Sequence, residues 1–124
     1  VVMAVRRVER PLRGVLEACE EWVFPVPSTT TLFNPYGDED SNFDRVGAKE
    51  IRRRNLETYL TVFGERPAVV VVAEAPGPWG CRFSGVPITS EEQLLDPEGI
   101  RRFSEALRDR ARLFYTVSAA RLPR

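Results

Sequence analysis

The chain has 124 residues, 43% of them hydrophobic and 29% charged, which suits one small globular domain and is too short for two. Lys+Arg and Asp+Glu both number 18, so the formal net charge is zero, which excludes a strongly basic arm or a polyacidic tail. Histidine is absent and there are two cysteines, which removes the Ser-His-Asp triad, most zinc and haem sites and any disulfide framework.

No apolar run reaches the roughly 18 residues of a membrane span, and no charged segment followed by an apolar one opens the chain, so neither a span nor a secretory signal is expected. With Cys19 and Cys81 as its thiols, the expected setting is the reducing cytoplasm. Because the chain opens on Val1 and its first methionine is Met3, either a non-standard start or an incomplete N-terminus is expected. Lys49 is the single lysine among the 18 basic residues, an arginine bias that reads as genome composition more than chemistry.

Taken in order, residues 1–30 read as a helical N-terminal segment. Val15, Leu16, Ala18, Cys19 and Trp22 recur at helical spacing between Glu17, Glu20 and Glu21. Pro25 and Pro27 close it, because a helix cannot continue through them. An extended stretch through Phe33-Asn34-Pro35-Tyr36 leads to an acidic loop, Asp38 to Asp44. A second helix is predicted from about Val46 to Phe63, with Ile51, Leu56, Tyr59, Leu60 and Phe63 on its apolar side. Arg52, Arg53 and Arg54 lie largely outside that side and read as a solvated face.

Residues 67–89 carry the strongest signal. Ala68-Val-Val-Val-Val-Ala73 is an unbroken β-branched run, the pattern of a central parallel strand covered on both faces. A Gly/Pro-rich loop follows, from Ala75 to Pro87. Ligands bind where such strands end, so Glu74, Pro76, Gly77, Arg82 and Phe83 are placed where chemistry would sit. Ser90 to Gln93 reads as the start of a short helical turn. Asp96-Pro97 opens a third helix, and residues 113–119 read as a last short strand. The order of elements is α/β, with a sheet too thin to stand alone.

Ala73-Glu74-Ala75-Pro76-Gly77 after a valine strand, followed by Gly80-Cys-Arg-Phe-Ser-Gly-Val-Pro87, resembles the first-motif region of the uracil-DNA glycosylase superfamily. Phe33-Asn34-Pro35-Tyr36 and Ile51-Arg-Arg-Arg-Asn-Leu56 are similar to the N-terminal part of its bacterial members, so the resemblance spans roughly residues 32–95. It implies an α/β three-layer fold around a parallel sheet, here as a single, incomplete domain over residues 1–124. It further implies hydrolysis of the N-glycosidic bond of uracil, or of a related damaged base, in DNA for base-excision repair, without metal or cofactor. The base would be flipped out of the duplex, and fixed donors would stabilise the leaving anion.

Carried onto this chain, Glu74 is the catalytic candidate that orients water or base. Ala75 stands where other branches carry the Asp or Asn that activates water, and Gly77 where the strictest uracil enzymes carry a blocking aromatic. Ala75, Pro76, Gly77, Phe83 and Ile88 are the substrate-binding candidates, with Phe83 for stacking and Ile88 where other members have phenylalanine. Arg82 is the DNA-phosphate candidate.

The base-reading asparagine and the second motif of the superfamily have no counterpart after Leu95. A second reading therefore stands beside the first. In it the chain is a catalytically inert α/β module that binds a nucleotide or nucleic acid through its Ala75–Gly85 loop, or a homo-oligomer if its sheet edge is exposed.

Overall fold

The computed structural model describes residues 4–6, 13–62, 70–72 and 80–96. Six elements are present among them: β1 (Ala4–Arg6), α1 (Arg13–Trp22), α2 (Ala48–Val62), β2 (Val70–Val72), α3 (Cys81–Ser84) and α4 (Glu91–Leu95). The helix predicted from Asp96 and the strand over residues 113–119 lie outside the described residues.

The expectation of a three-layer fold around a parallel sheet is corrected. Helices dominate the described residues, and β2 pairs antiparallel with β1, Val71 opposite Val5. The valine run fixes an extended backbone, because β-branched side chains favour it, but it does not fix the direction of the partner strand. That partner is Ala4–Arg6, in a stretch whose sequence reads as helix, and α1 and α2 both lie in the chain between the two strands.

α1 ends where its prolines say it must. The N–H groups of Val23 and Phe24 both donate to Cys19 O, at 3.0 and 2.8 Å, and the chain turns away before Pro25. The predicted apolar face of α1 is only partly used. Leu16 and Cys19 are half-buried, while Trp22 is 70% exposed.

α2 is the organising element, packed against α1 on one side and α3 on another. Its buried side carries Ala48 and Leu56, with Phe83 of α3 packed on Ala48 and Ile51. Two polar residues lie fully buried on the same helix, Arg52 and Asn55. The expected solvated arginine face is thus corrected at its first member. Arg52 points inward because the chain supplies partners for both terminal nitrogens of the guanidinium, the carboxylate of Asp44 and the carbonyls of Pro35 (3.0 Å) and Asp38 (3.4 Å), while its buried Nε has no hydrogen-bond partner among the described residues. Arg54 stays exposed as predicted, and Arg53 covers the Phe24 ring at 4.9 Å.

The loop between α1 and α2 holds itself in shape. Asn34 donates through Nδ2 to Val23 O (2.8 Å) and Val26 O (2.7 Å), and its Oδ1 accepts from Tyr36 N (3.0 Å). A Cβ on Gly37 would stand 2.8 Å from Asn34 Nδ2 and 2.9 Å from Phe24 O, so only glycine fits this approach. α4 begins with a reciprocal cap: Ser90 Oγ accepts from Gln93 N at 3.2 Å and Gln93 Oε1 accepts from Ser90 N at 2.8 Å. The helical start expected at Ser90 is present there.

Candidate functional site

α3 is the element on which three stretches of sequence meet. It was expected as loop; Gly80 opens it and Gly85 closes it in the left-handed region at φ +72°. From α2, Asn55 Nδ2 donates to Ser84 O at 2.7 Å. From the α1–α2 loop, the Tyr36 hydroxyl donates to Gly85 O at 2.7 Å. Gly85 itself lies on the backbone of α2: a Cβ there would stand 2.6 Å from Arg52 O and 2.7 Å from Arg52 Cα.

The turn beyond Gly85 is closed by Ser84. Its Oγ accepts from Val86 N at 2.9 Å and donates to Thr89 O at 2.6 Å. Ser84 and Val86 are fully buried, so residues 80–89 form a fixed platform on α2. Burial of Tyr36 raises its hydroxyl pKa well above the usual tyrosine range, so it is a permanent donor to Gly85 O at any physiological pH.

Phe83 lies inside this platform. It is 4% exposed, packs on Ala48 and Ile51, and meets the Phe43 ring edge-on at 6.5 Å. Arg82 lies above it. The guanidinium carbon is 4.7 Å from the Phe33 ring centre, 5.0 Å from Phe83 and 5.6 Å from Phe43. Arg82 Nη2 donates to Asp40 Oδ2 at 2.9 Å, with both side chains partly open to water.

Asp40 is placed by its own loop. Asn42 N donates to its Oδ1 at 3.0 Å, and its backbone N–H donates to Asp44 Oδ2 at 2.9 Å. The hydrogen bond from Asn42, then the guanidinium of Arg82, hold the Asp40 carboxyl below the usual carboxylate range. The two aspartates of one turn thus serve the two arginines of two helices, Asp44 on Arg52 and Asp40 on Arg82.

Ile88 stands at the tip of the platform, 55% exposed, with φ at +56°. For a β-branched residue that conformation costs about 1–2 kcal/mol. The turn that imposes it is closed by Thr89 Oγ1 donating to Pro87 O at 2.9 Å.

The structure therefore brings Arg82 and Phe83 together and sets Ile88 at the end of the same platform. Glu74, Ala75, Pro76 and Gly77 lie outside the described residues. Three participants carried no role in the sequence: Asp40, Asn55 and Tyr36. Tyr36 and Asn55 fall inside the stretches that carry the family resemblance, which is the signal that points to them. Asp40 is one of several carboxylates in an acidic loop, and nothing in the sequence separates it from its neighbours.

A shallow groove of about 550 Å³ opens between α1 and α2, lined by Leu16, Phe24 and Pro25 with Glu20, Glu50, Arg53, Arg54 and Glu57. None of the sequence-predicted site residues lines it. Among the described residues no cluster of three or more His, Cys, Asp or Glu side chains could hold a metal ion, and no helix is long and apolar enough to cross a membrane. No family model, curated protein or solved structure matches the chain.

Proposed function

We propose that this chain carries the first-motif part of a DNA glycosylase site that hydrolyses the N-glycosidic bond of uracil, or of a related damaged base, in DNA. One observation carries the reading. Three stretches that resemble the superfamily, far apart in sequence, converge on one platform. Tyr36 of the first and Asn55 of the second bond the backbone of Gly85 and Ser84 in the third, at 2.7 Å each.

In this reading the platform fixes the far end of the loop that begins at Glu74. Glu74 orients water or the base at the scissile bond, Pro76 and Gly77 shape the loop, and Arg82 meets a backbone phosphate. Holding such groups in place before substrate arrives is what lets a site stabilise developing charge. Phe83, buried beneath Arg82, supports the guanidinium, and Ile88 is the exposed apolar residue on the side of the flipped base.

The test is release of free base. The chain is incubated with a single-stranded oligonucleotide containing one uracil, and with its thymine counterpart. Release of free uracil is the expected outcome, and the thymine counterpart measures how far a pocket with glycine at position 77 discriminates. A folded chain that binds the oligonucleotide and releases neither base would contradict the enzyme reading and leave a nucleic-acid-binding module in its place.

A further inference from the structure

We propose that Asp40 is a built-in competitor for the phosphate of a nucleic-acid backbone at Arg82, so that binding proceeds by exchange of one anion for another. This deepens the reading above, since it names how Arg82 would take its phosphate, but it concerns binding and not base release.

The guanidinium is held as a ligand site would hold it. Three phenylalanine rings lie within 5.6 Å of its carbon, and they come from two parts of the chain, Phe33 and Phe43 from the α1–α2 loop and Phe83 from α3. None of these ring contacts involves Asp40, and they hold the group in place in the absence of a ligand. Its Nε and Nη1 have no hydrogen-bond partner among the described residues, and the side chain is 21% exposed. Asp40 takes only Nη2. Both edges of a guanidinium that can grip a phosphate with two parallel bonds include Nη2, one with Nε and one with Nη1. Nη2 carries one N–H on each edge, so a phosphate on the edge Asp40 occupies displaces the carboxylate outright, and on the other edge the two anions meet on one nitrogen and repel, which favours exchange.

The exchange favours phosphate: Asp40 holds Arg82 through one bond, with 21% and 24% of the two side chains exposed, whereas a bidentate guanidinium–phosphate contact is charge-assisted twice. Releasing Oδ2 also leaves the rest of the loop intact, because Asn42 N stays on Oδ1 and Asp44 Oδ2 stays on the Asp40 backbone. Arg52 is no alternative site: it is fully buried and committed to Asp44, Pro35 and Asp38.

The test is a double-mutant cycle on binding of a fluorescein-labelled single-stranded oligonucleotide without uracil, read by anisotropy over a range of salt. Asp40→Asn keeps the Oδ1 acceptor for Asn42 and removes the competing charge. It is expected to tighten binding about two- to five-fold. Arg82→Gln is expected to weaken binding and to reduce the salt slope by about 0.7, the value for one phosphate contact on a single strand.

In the Arg82→Gln background, Asp40→Asn should give no further gain. An equal gain in both backgrounds would mean that Asp40 acts only through general charge and would overturn the proposal. No gain from Asp40→Asn in the otherwise native chain, or no oligonucleotide binding at all, would overturn it as well. Arg82→Met, which fills the space between the rings without charge, repeats the cycle if the glutamine variant unfolds. Failure of the glycosylase reading would leave this cycle untouched, because no base is cleaved in it.

Discussion

At the residue scale, the largest fully buried side chains among the described residues are Arg52, Val86, Asn55 and Ser84, and three of the four are polar. Such groups are tolerable only when bonded, and once bonded they fix one arrangement. Gly85 shows how tight the fit is. It needs the left-handed region, and its α-carbon faces the backbone of Arg52 with no room for a methyl group. Gly85→Ala is therefore expected to destabilise the fold by about 3 kcal/mol, the sum of a left-handed alanine and forced overlap with a helix backbone. Gly14→Ala, in α1 with nothing within 4 Å, should leave stability unchanged or raise it by about 0.5–1 kcal/mol. Urea denaturation of the two variants checks the contrast, and equal midpoints would show that α3 does not sit on α2 as described.

What the sequence made legible at this scale was chemical type more than position. The helical start at Ser90 could be read from the local sequence, because local backbone demands restrict the residues that fit, whereas the short helix that Gly85 closes lies in a stretch that reads as loop. The inward turn of Arg52 could not. Helical periodicity places it beside Arg53 and Arg54, and only the partners Asp44, Pro35 and Asp38, distant in sequence, make its burial affordable. The family resemblance offers Phe83 as a stacking surface, in a stretch that reads as loop. The short helix α3 turns it instead onto Ala48 and Ile51.

At the element scale, the loop from Ser28 to Asp44 acts as a strap across α2 and α3, closed by carboxylates. Asp38 Oδ2 accepts from Ser28 N at 2.8 Å, and Asp40 pairs with Arg82. Hydrogen bonding from Ser28 lowers the pKa of Asp38, and bonding from Asn42, with Arg82 next, lowers that of Asp40. A carboxyl with a depressed pKa in the folded state contributes stability that is complete above its unfolded value, 3.8 here, and is lost as pH falls through the folded value. The strap should therefore hold from neutrality down to about pH 4 and loosen below it. Tyr36 works in the opposite sense at the other end of the scale. Its folded pKa is raised, so its contribution is complete below the unfolded value of 10.0 and is lost as pH rises beyond it. Thermal melts between pH 2 and pH 7 should show a loss of stability confined to the acid end, smaller in Asp40→Asn. A flat profile would contradict the strap. The acidic loop and its boundaries were legible in the sequence. Which helix each carboxylate serves was not, because that depends on how the loop folds back.

At the scale of the whole molecule, the order of elements along the chain was more legible than their arrangement. α1 ends at its prolines, α2 lies within the predicted span, the valine run contains a strand, and Ser90 starts a helix, since each of these follows from local propensity or capping. Pairing is a long-range property. The antiparallel partner of β2 comes from the first residues of the chain, and neither strand names the other. The parallel-sheet expectation failed at that point, while the convergence of residues 33–36, 51–56 and 80–89 on one platform does not depend on it. The proposed glycosylase reading rests on that convergence, since a functional site needs a rigid support.

The most direct test of that claim is strand cleavage at uracil by the native chain and by Glu74→Ala, side by side, with alkali used to break the abasic site. Matched circular-dichroism melts should show that both are folded. The expected result is cleavage by the native chain that falls by about 100-fold or more in the variant, the range for losing a group that positions a proton or water at the reacting centre. Cleavage of equal rate by both proteins, or none by a folded native chain, would contradict it.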